Sequence, residues 1–185
     1  ITFLLLQNGR ATIIAAIAIP TSVIATFFLL KTMKFTLNNM SLMGLSLAVG
    51  ILIDDAIVVI ENIYRHMEMG KSPLKAARDG TSEITLAVMA TTLSILAVFV
   101  PVGSMGGIVG QFFRQFGLTV AFAVAFSLFV ALTLTPMLSA YWLKPHIAKE
   151  EGEKGVMQRF LDRFEGAFKE VSEFYRRALT WALTH

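Results

Sequence analysis

The chain contains no cysteine in 185 residues. Disulfides and thiolate metal sites are therefore excluded, and the redox compartment is not encoded. Charge is scarce: Asp, Glu, Lys and Arg make up 16% of the residues, against about 25% in ordinary globular chains. Lys and Arg are absent from 11–30, 40–53, 84–103 and 116–143. No GxxxxGK sequence occurs, so no nucleotide loop is expected. There is no HExxH and no Ser-His-Asp arrangement. His66, His146 and His185 lack ligand spacing and are read as solvated loop residues. The expectation is thus no metal, no bound cofactor and no enzymatic activity. The net charge of +3 comes from basic residues at the ends of apolar runs, a membrane-flank pattern that implies no nucleic-acid partner.

What is present is apolar. Hydrophobic residues reach 55%, with 15 Phe, and the mean hydropathy is +0.66. The predicted fold class is an all-α, polytopic transmembrane helical bundle with one amphipathic interfacial helix. Residues 1–6 read as the end of a preceding span and 178–185 as the start of another, so both ends are expected to be cuts in a longer membrane protein. Between them, 11–30, 40–65, 84–102 and 116–143 are expected spans, each long enough for a hydrocarbon core at 1.5 Å per residue. The 28 residues of 116–143 exceed that need and are expected to tilt, or to bend near Pro136. The polar stretches 31–39, 66–83 and 103–115 are read as loops, with a short helix allowed at 73–79. Residues 156–176 carry apolar side chains at three- and four-residue steps between charges, the pattern of a surface helix lying along the membrane.

Orientation follows from the basic residues. With four spans alternating sides, one side collects 13 Lys and Arg and the other 3. Arg10, the 66–83 loop and the 156–176 helix are therefore assigned to the cytoplasm, and 31–39 and 103–115 to the outside.

Against this background one dipeptide stands out. Asp54-Asp55 lies inside the second of the four expected spans, in the run 40–60. A charge at bilayer depth costs about 2.5–3.5 kcal/mol on translocon scales and more on others. Local folding does not require two of them there. A soluble reading, with the pair capping a short helix that begins at Ala56, is opposed by the three other runs of spanning length. The pair reads as a proton or ion site. Apolar surroundings and a like-charged neighbour favour a carboxyl's protonated form, whereas a nearby Lys or Arg favours the ionised form. A pair under both pulls loads and releases protons, and its titration belongs to both groups. No span supplies a cation, so either the counter-charge is expected elsewhere in the polypeptide or the pair is expected to be largely protonated at rest. Gly44, Ser46, Ala48 and Gly50 are expected to let a neighbouring helix approach. Glu61 and Asn62 are accessory candidates for a proton exit path, with a plain helix end at the headgroups as the alternative.

The residues that carry these features also carry a family likeness. GLSLAVGILIDDAIVVIENIYR (44–65) resembles the fourth transmembrane helix of resistance–nodulation–division (RND) efflux pumps. QNGRATIIAAIAIP (7–20) resembles the entry to their third helix, FVPVGSMGGIVGQFFRQF (99–116) the junction of helices five and six, and LTPMLSAYWLKP (134–145) the end of helix six. Residues 156–175 resemble the cytoplasmic helix that links the two six-helix halves. The resemblance covers essentially the whole chain, and the retained Asp pair points to the multidrug branch, hydrophobe/amphiphile type, rather than to heavy-metal branches. It implies a homotrimer in the bacterial inner membrane, driven by the proton motive force, that exports drugs in exchange for protons. It also implies a periplasmic adaptor, an outer-membrane channel, surrounding lipids, and a Lys and an Arg from the second half working with Asp54 and Asp55. Two alternatives stay open: an RND-like proton-driven exporter of protein or lipid, and a segment with only a structural role. Soluble domains of about 300 residues on each flank, of the size of large single domains, would favour the pump.

Overall fold

A computed structural model describes residues 9–143, 175–177 and 179–181. Five helices follow in order: α1 (Gly9–Thr32), α2 (Asn39–Glu68), α3 (Pro73–Gly103), α4 (Gly107–Leu132) and α5 (Leu134–Trp142). No strand occurs among the described residues. Four segments are long and apolar enough to cross a membrane: α1, α2, α3, and α4 taken with α5. Chain contacts divide 1–145 from 146–185 as two units. In the second unit, the described residues 175–177 and 179–181 are helical; the rest of the expected surface helix and following span, and residues 1–6, lie outside the described residues.

Helix ends have local causes. Asn38 caps α2: its Oδ1 accepts from the backbone N–H groups of Met40 and Ser41, both at 3.0 Å, and the Ser41 hydroxyl accepts from the Asn38 N–H at 3.0 Å. This reciprocal cap satisfies donors that a helix start leaves free. The Asn38 amide also donates to Gln115 Oε1 of α4 at 2.6 Å. Pro73 starts α3, where its missing N–H costs nothing. Pro20 sits within α1. The hydroxyls of Thr21 and Thr26 bond back to the carbonyls of Ile17 and Ser22 at 2.8 Å, so these polar groups are satisfied inside an apolar helix.

Two expected loops are mostly helix. Of 66–83, only Met69–Ser72 leaves the helices, with Gly70 at φ +86°. Of 103–115, only Ser104–Gly106 does so. Within 66–83, Pro73 initiates a helix and Gly80 lies at a helix contact. The polar residues of 73–83 form the first three turns of a 31-residue helix. The expected bend near Pro136 is a break at Thr133 (φ −120°, ψ −66°) between α4 and α5. The cause is Pro136: it lacks the N–H that would bond the Leu132 carbonyl, and its ring crowds that carbonyl.

α4 is the central helix, packed on α1, α2 and α3. Its contact with α2 descends in layers. Ala48 and Leu52 meet Ala123; Ala56 meets Ala18 and Val130; Val59, Ile60 and Ile63 join Ala11, Ile14, Ala76, Ala77 and Ala131 in the largest cluster. Of the small residues expected to admit a neighbour, Gly44 does so: a Cβ there would lie 3.0 Å from the Phe116 carbonyl oxygen. Ala48 is fully buried, whereas Ser46 and Gly50 face outward. Ile24, Phe28, Leu86 and Phe129 are more than 60% exposed. Helices apolar on all faces belong in lipid or against further protein.

Candidate functional site

α2 carries Asp54 and Asp55 just past its middle, about 24 Å from its start at 1.5 Å per residue. Successive residues on a helix project about 100° apart, and the two carboxylates separate accordingly. Asp55 is 9% exposed and faces into the bundle; Asp54 is on the exposed side. The layers above and below Asp55 are Leu52–Ala123 and Ala56–Val130. Ser127 of α4 interacts with the Asp55 carboxyl, and its hydroxyl donates to the Leu52 carbonyl at 3.3 Å. Asp55 Oδ2 is buried and makes no hydrogen bond among the described residues. A buried acceptor left unpaired costs about 1–3 kcal/mol, and more when charged. The described ion pairs are Arg65–Glu83, His66–Glu83 and Lys71–Asp79; none reaches Asp54 or Asp55. The site thus combines a buried carboxyl, one of whose oxygens is unpaired, with an outward-facing carboxyl on the preceding residue.

The two accessory candidates part company. Glu61 is exposed on the same side as Asp54, two turns on. Asn62 is buried, and its amide donates to the Gly80 carbonyl of α3 at 2.7 Å and to Glu83 Oε2 at 3.4 Å. Asn62 therefore joins two helices.

His66 is not a solvated loop residue. It is 7% exposed within α2, because the helix continues past the apolar run and turns this position toward α3. Its Nε2 lies 2.6 Å from Glu83 Oε2, and its Nδ1 lies 2.9 Å from Lys71 Nζ. Arg65 Nη2 donates to Glu83 Oε1 at 2.7 Å, and Lys71 donates to Asp79 Oδ2 at 2.7 Å. Glu83 lies at the polar end of α3, ahead of the apolar run 84–102. Its carboxyl is held down to about 2, first by the hydrogen bond from His66, then by those from Arg65 and Asn62. Asp79 is lowered chiefly by its hydrogen bond from Lys71. The signal for this cluster was spacing. Asn62 and His66 are four apart on α2 and continue its buried stripe beyond its apolar core; Ala76 and Gly80, four apart, do the same on α3, and the exposed Glu83 follows three residues on, at the edge of that face.

No group of three or more His, Asp or Glu side chains suited to a metal ion occurs among the described residues.

Comparison with known proteins places this arrangement. Residues 1–185 match the profile of the AcrB/AcrD/AcrF family. The chain is 44% identical over all its residues to multidrug resistance protein MdtC of Pantoea ananatis. It is 43% identical, again over its whole length, to the protein of that name from Yersinia pseudotuberculosis. It spans 17% of the length of these curated relatives. The matched region, the apolar helices and the embedded aspartate pair agree: the chain belongs to the AcrB/AcrD/AcrF family, the RND multidrug transporters.

Proposed function

We propose that this chain is the proton-relay portion of a drug/proton antiporter driven by the proton motive force. Asp54 and Asp55 carry the coupling proton, and no enzymatic step and no other cofactor is involved. The reading is supported above all by Asp55: a buried carboxyl with one oxygen unpaired, mid-way along a spanning helix, in a chain whose relatives are named multidrug resistance proteins. Protonated, such a group sits cheaply in apolar surroundings; ionised, it needs a cation. Arrival and departure of a counter-charge thus gives a load-and-release cycle. That cation comes from elsewhere in the polypeptide. The working assembly is a homotrimer in the bacterial inner membrane with a periplasmic adaptor and an outer-membrane channel.

The test is proton flux. A full-length transporter carrying this segment, reconstituted in liposomes with an imposed pH gradient, is expected to move protons faster when drug is added and to stop transporting when the gradient is collapsed. Drug movement indifferent to the gradient overturns the proposal.

Topology gives a second check. In intact cells, S72C at the α2–α3 turn is expected to resist a membrane-impermeant thiol reagent added outside, and T36C in the α1–α2 connection to react. The basis is the asymmetry of 13 to 3 basic residues. The opposite pattern inverts the assignment.

A further inference from the structure

Glu83 gathers three donors from one turn of α2. Asn62, Arg65 and His66 occupy positions i, i+3 and i+4, a single helix face, and all three reach its carboxylate, at 3.4, 2.7 and 2.6 Å. One turn earlier on α3, the Gly80 carbonyl takes the other bond from Asn62, at 2.7 Å. At that point the backbones touch: a Cβ on Gly80 would lie 3.1 Å from Ile63 Cα and 3.2 Å from the Asn62 carbonyl oxygen. The histidine is held from both sides. The Lys71 ammonium has only donors, so His66 Nδ1 accepts from it and Nε2–H donates to Glu83. Lys71 is itself tied to Asp79 of α3. A turn of α2 by one residue's step, about 100°, would break every one of its bonds to α3.

That rotation is the variable that decides which aspartate faces inward. Seven residues separate Asp55 from Asn62, about 20° short of two full turns and about 10.5 Å along the axis. The segment between them, AIVVIE, contains no Pro or Gly. The helix therefore carries any rotation at the Glu83 contact to the aspartates almost unchanged.

We propose that Glu83 is a positioning residue for the aspartate pair: by fixing α2 against α3 through Asn62, Arg65 and His66, it keeps Asp55 turned into the bundle and Asp54 turned out. The proposal rests on the proton-relay reading of the pair for its functional weight.

The experiment uses full-length transporter with one of two cysteine pairs, A56C with V130C or I57C with V130C. Ala56 and Val130 share one packed layer beside Asp55, so the first pair is expected to cross-link faster on oxidation. The ratio of the two rates reports rotation, whereas a general loosening changes both rates alike. E83A is expected to lower that ratio about fivefold, the effect of a shift of about 1 kcal/mol, and E83D, which restores the carboxylate, to bring most of it back. E83Q, nearly isosteric, serves where E83A does not accumulate, and is expected to lower the ratio in the same direction. Transport is expected to fall with the ratio. An unchanged ratio in both E83A and E83Q overturns the proposal, and so does a lowered ratio with undiminished transport. Full transport by D54N and D55N would instead strike the proton reading and leave the cross-linking result standing.

Discussion

In a full-length transporter carrying this segment, Asp55→Asn is expected to abolish proton-coupled export while the protein accumulates normally. The amide nearly matches the carboxyl in shape, so the layers of Leu52, Ala123, Ala56 and Val130 around it are undisturbed. Asp55 Oδ2 already lacks a partner. The new amide group exchanges one unmet hydrogen-bonding demand of about 1–3 kcal/mol for another of similar size, so the change in stability is small. What is lost is the proton: an amide neither binds nor releases one near neutral pH. Asp54→Asn is expected to do the same at still smaller structural cost, since Asp54 lies on the exposed side of α2. Drug resistance and drug-stimulated proton flux, compared at matched protein levels, are the measurements. Resistance is expected to fall to that of cells without the transporter. Normal resistance in both mutants would falsify the relay.

A second large effect is expected in folding rather than transport. A Cβ on Gly117 would lie 2.7 Å from the Gly103 backbone nitrogen and 2.9 Å from the Phe99 carbonyl oxygen. Both are backbone atoms of α3, so neither can swing away. Close approach through small residues is how helices associate in a membrane, where lipid tails remove the hydrophobic drive. Gly117→Val therefore forces α3 and α4 apart at the level where Phe99 and Phe116 meet edge to face, with ring centroids 6.0 Å apart. Overpacking of this kind costs about 1–3 kcal/mol, and the added loss of contact along a helix pair places Gly117→Val at or above the upper end. Gly50→Ala is the control, because nothing lies within 4 Å of a Cβ there. Thermal unfolding in detergent is expected to show a clear drop for Gly117→Val and none for Gly50→Ala. Equal stability of the two variants would refute the α3–α4 packing.

Much of this was legible in the residues. Uncharged runs of about 20 residues admit few structures other than spanning helices, because a chain in hydrocarbon must satisfy its own backbone. The cost of two carboxylates inside such a run marked Asp54 and Asp55 without any knowledge of their surroundings. Those signals are local, and local signals survive in sequence.

Other features depended on how helices meet. The 100° step between neighbours showed that Asp54 and Asp55 face different ways; only the seat of α2 against α4, with Ser127 beside Asp55, decided which one faces in. Glycine and proline were ambiguous for a physical reason. Pro73 at a first helical position and Gly80 at a backbone contact look, letter by letter, like the same residues in a loop. His66 reads as solvated, and Glu83 as part of a loop, because sequence gives no partner for them. They are buried or bonded because two helix ends bring one carboxylate within reach of Asn62, Arg65 and His66. The membrane helices and the costly charges within them follow from the order of residues alone; which charge is inward, and what holds it there, follows from the packing of α2 against α3 and α4, since facing is a property of two helices and not of one.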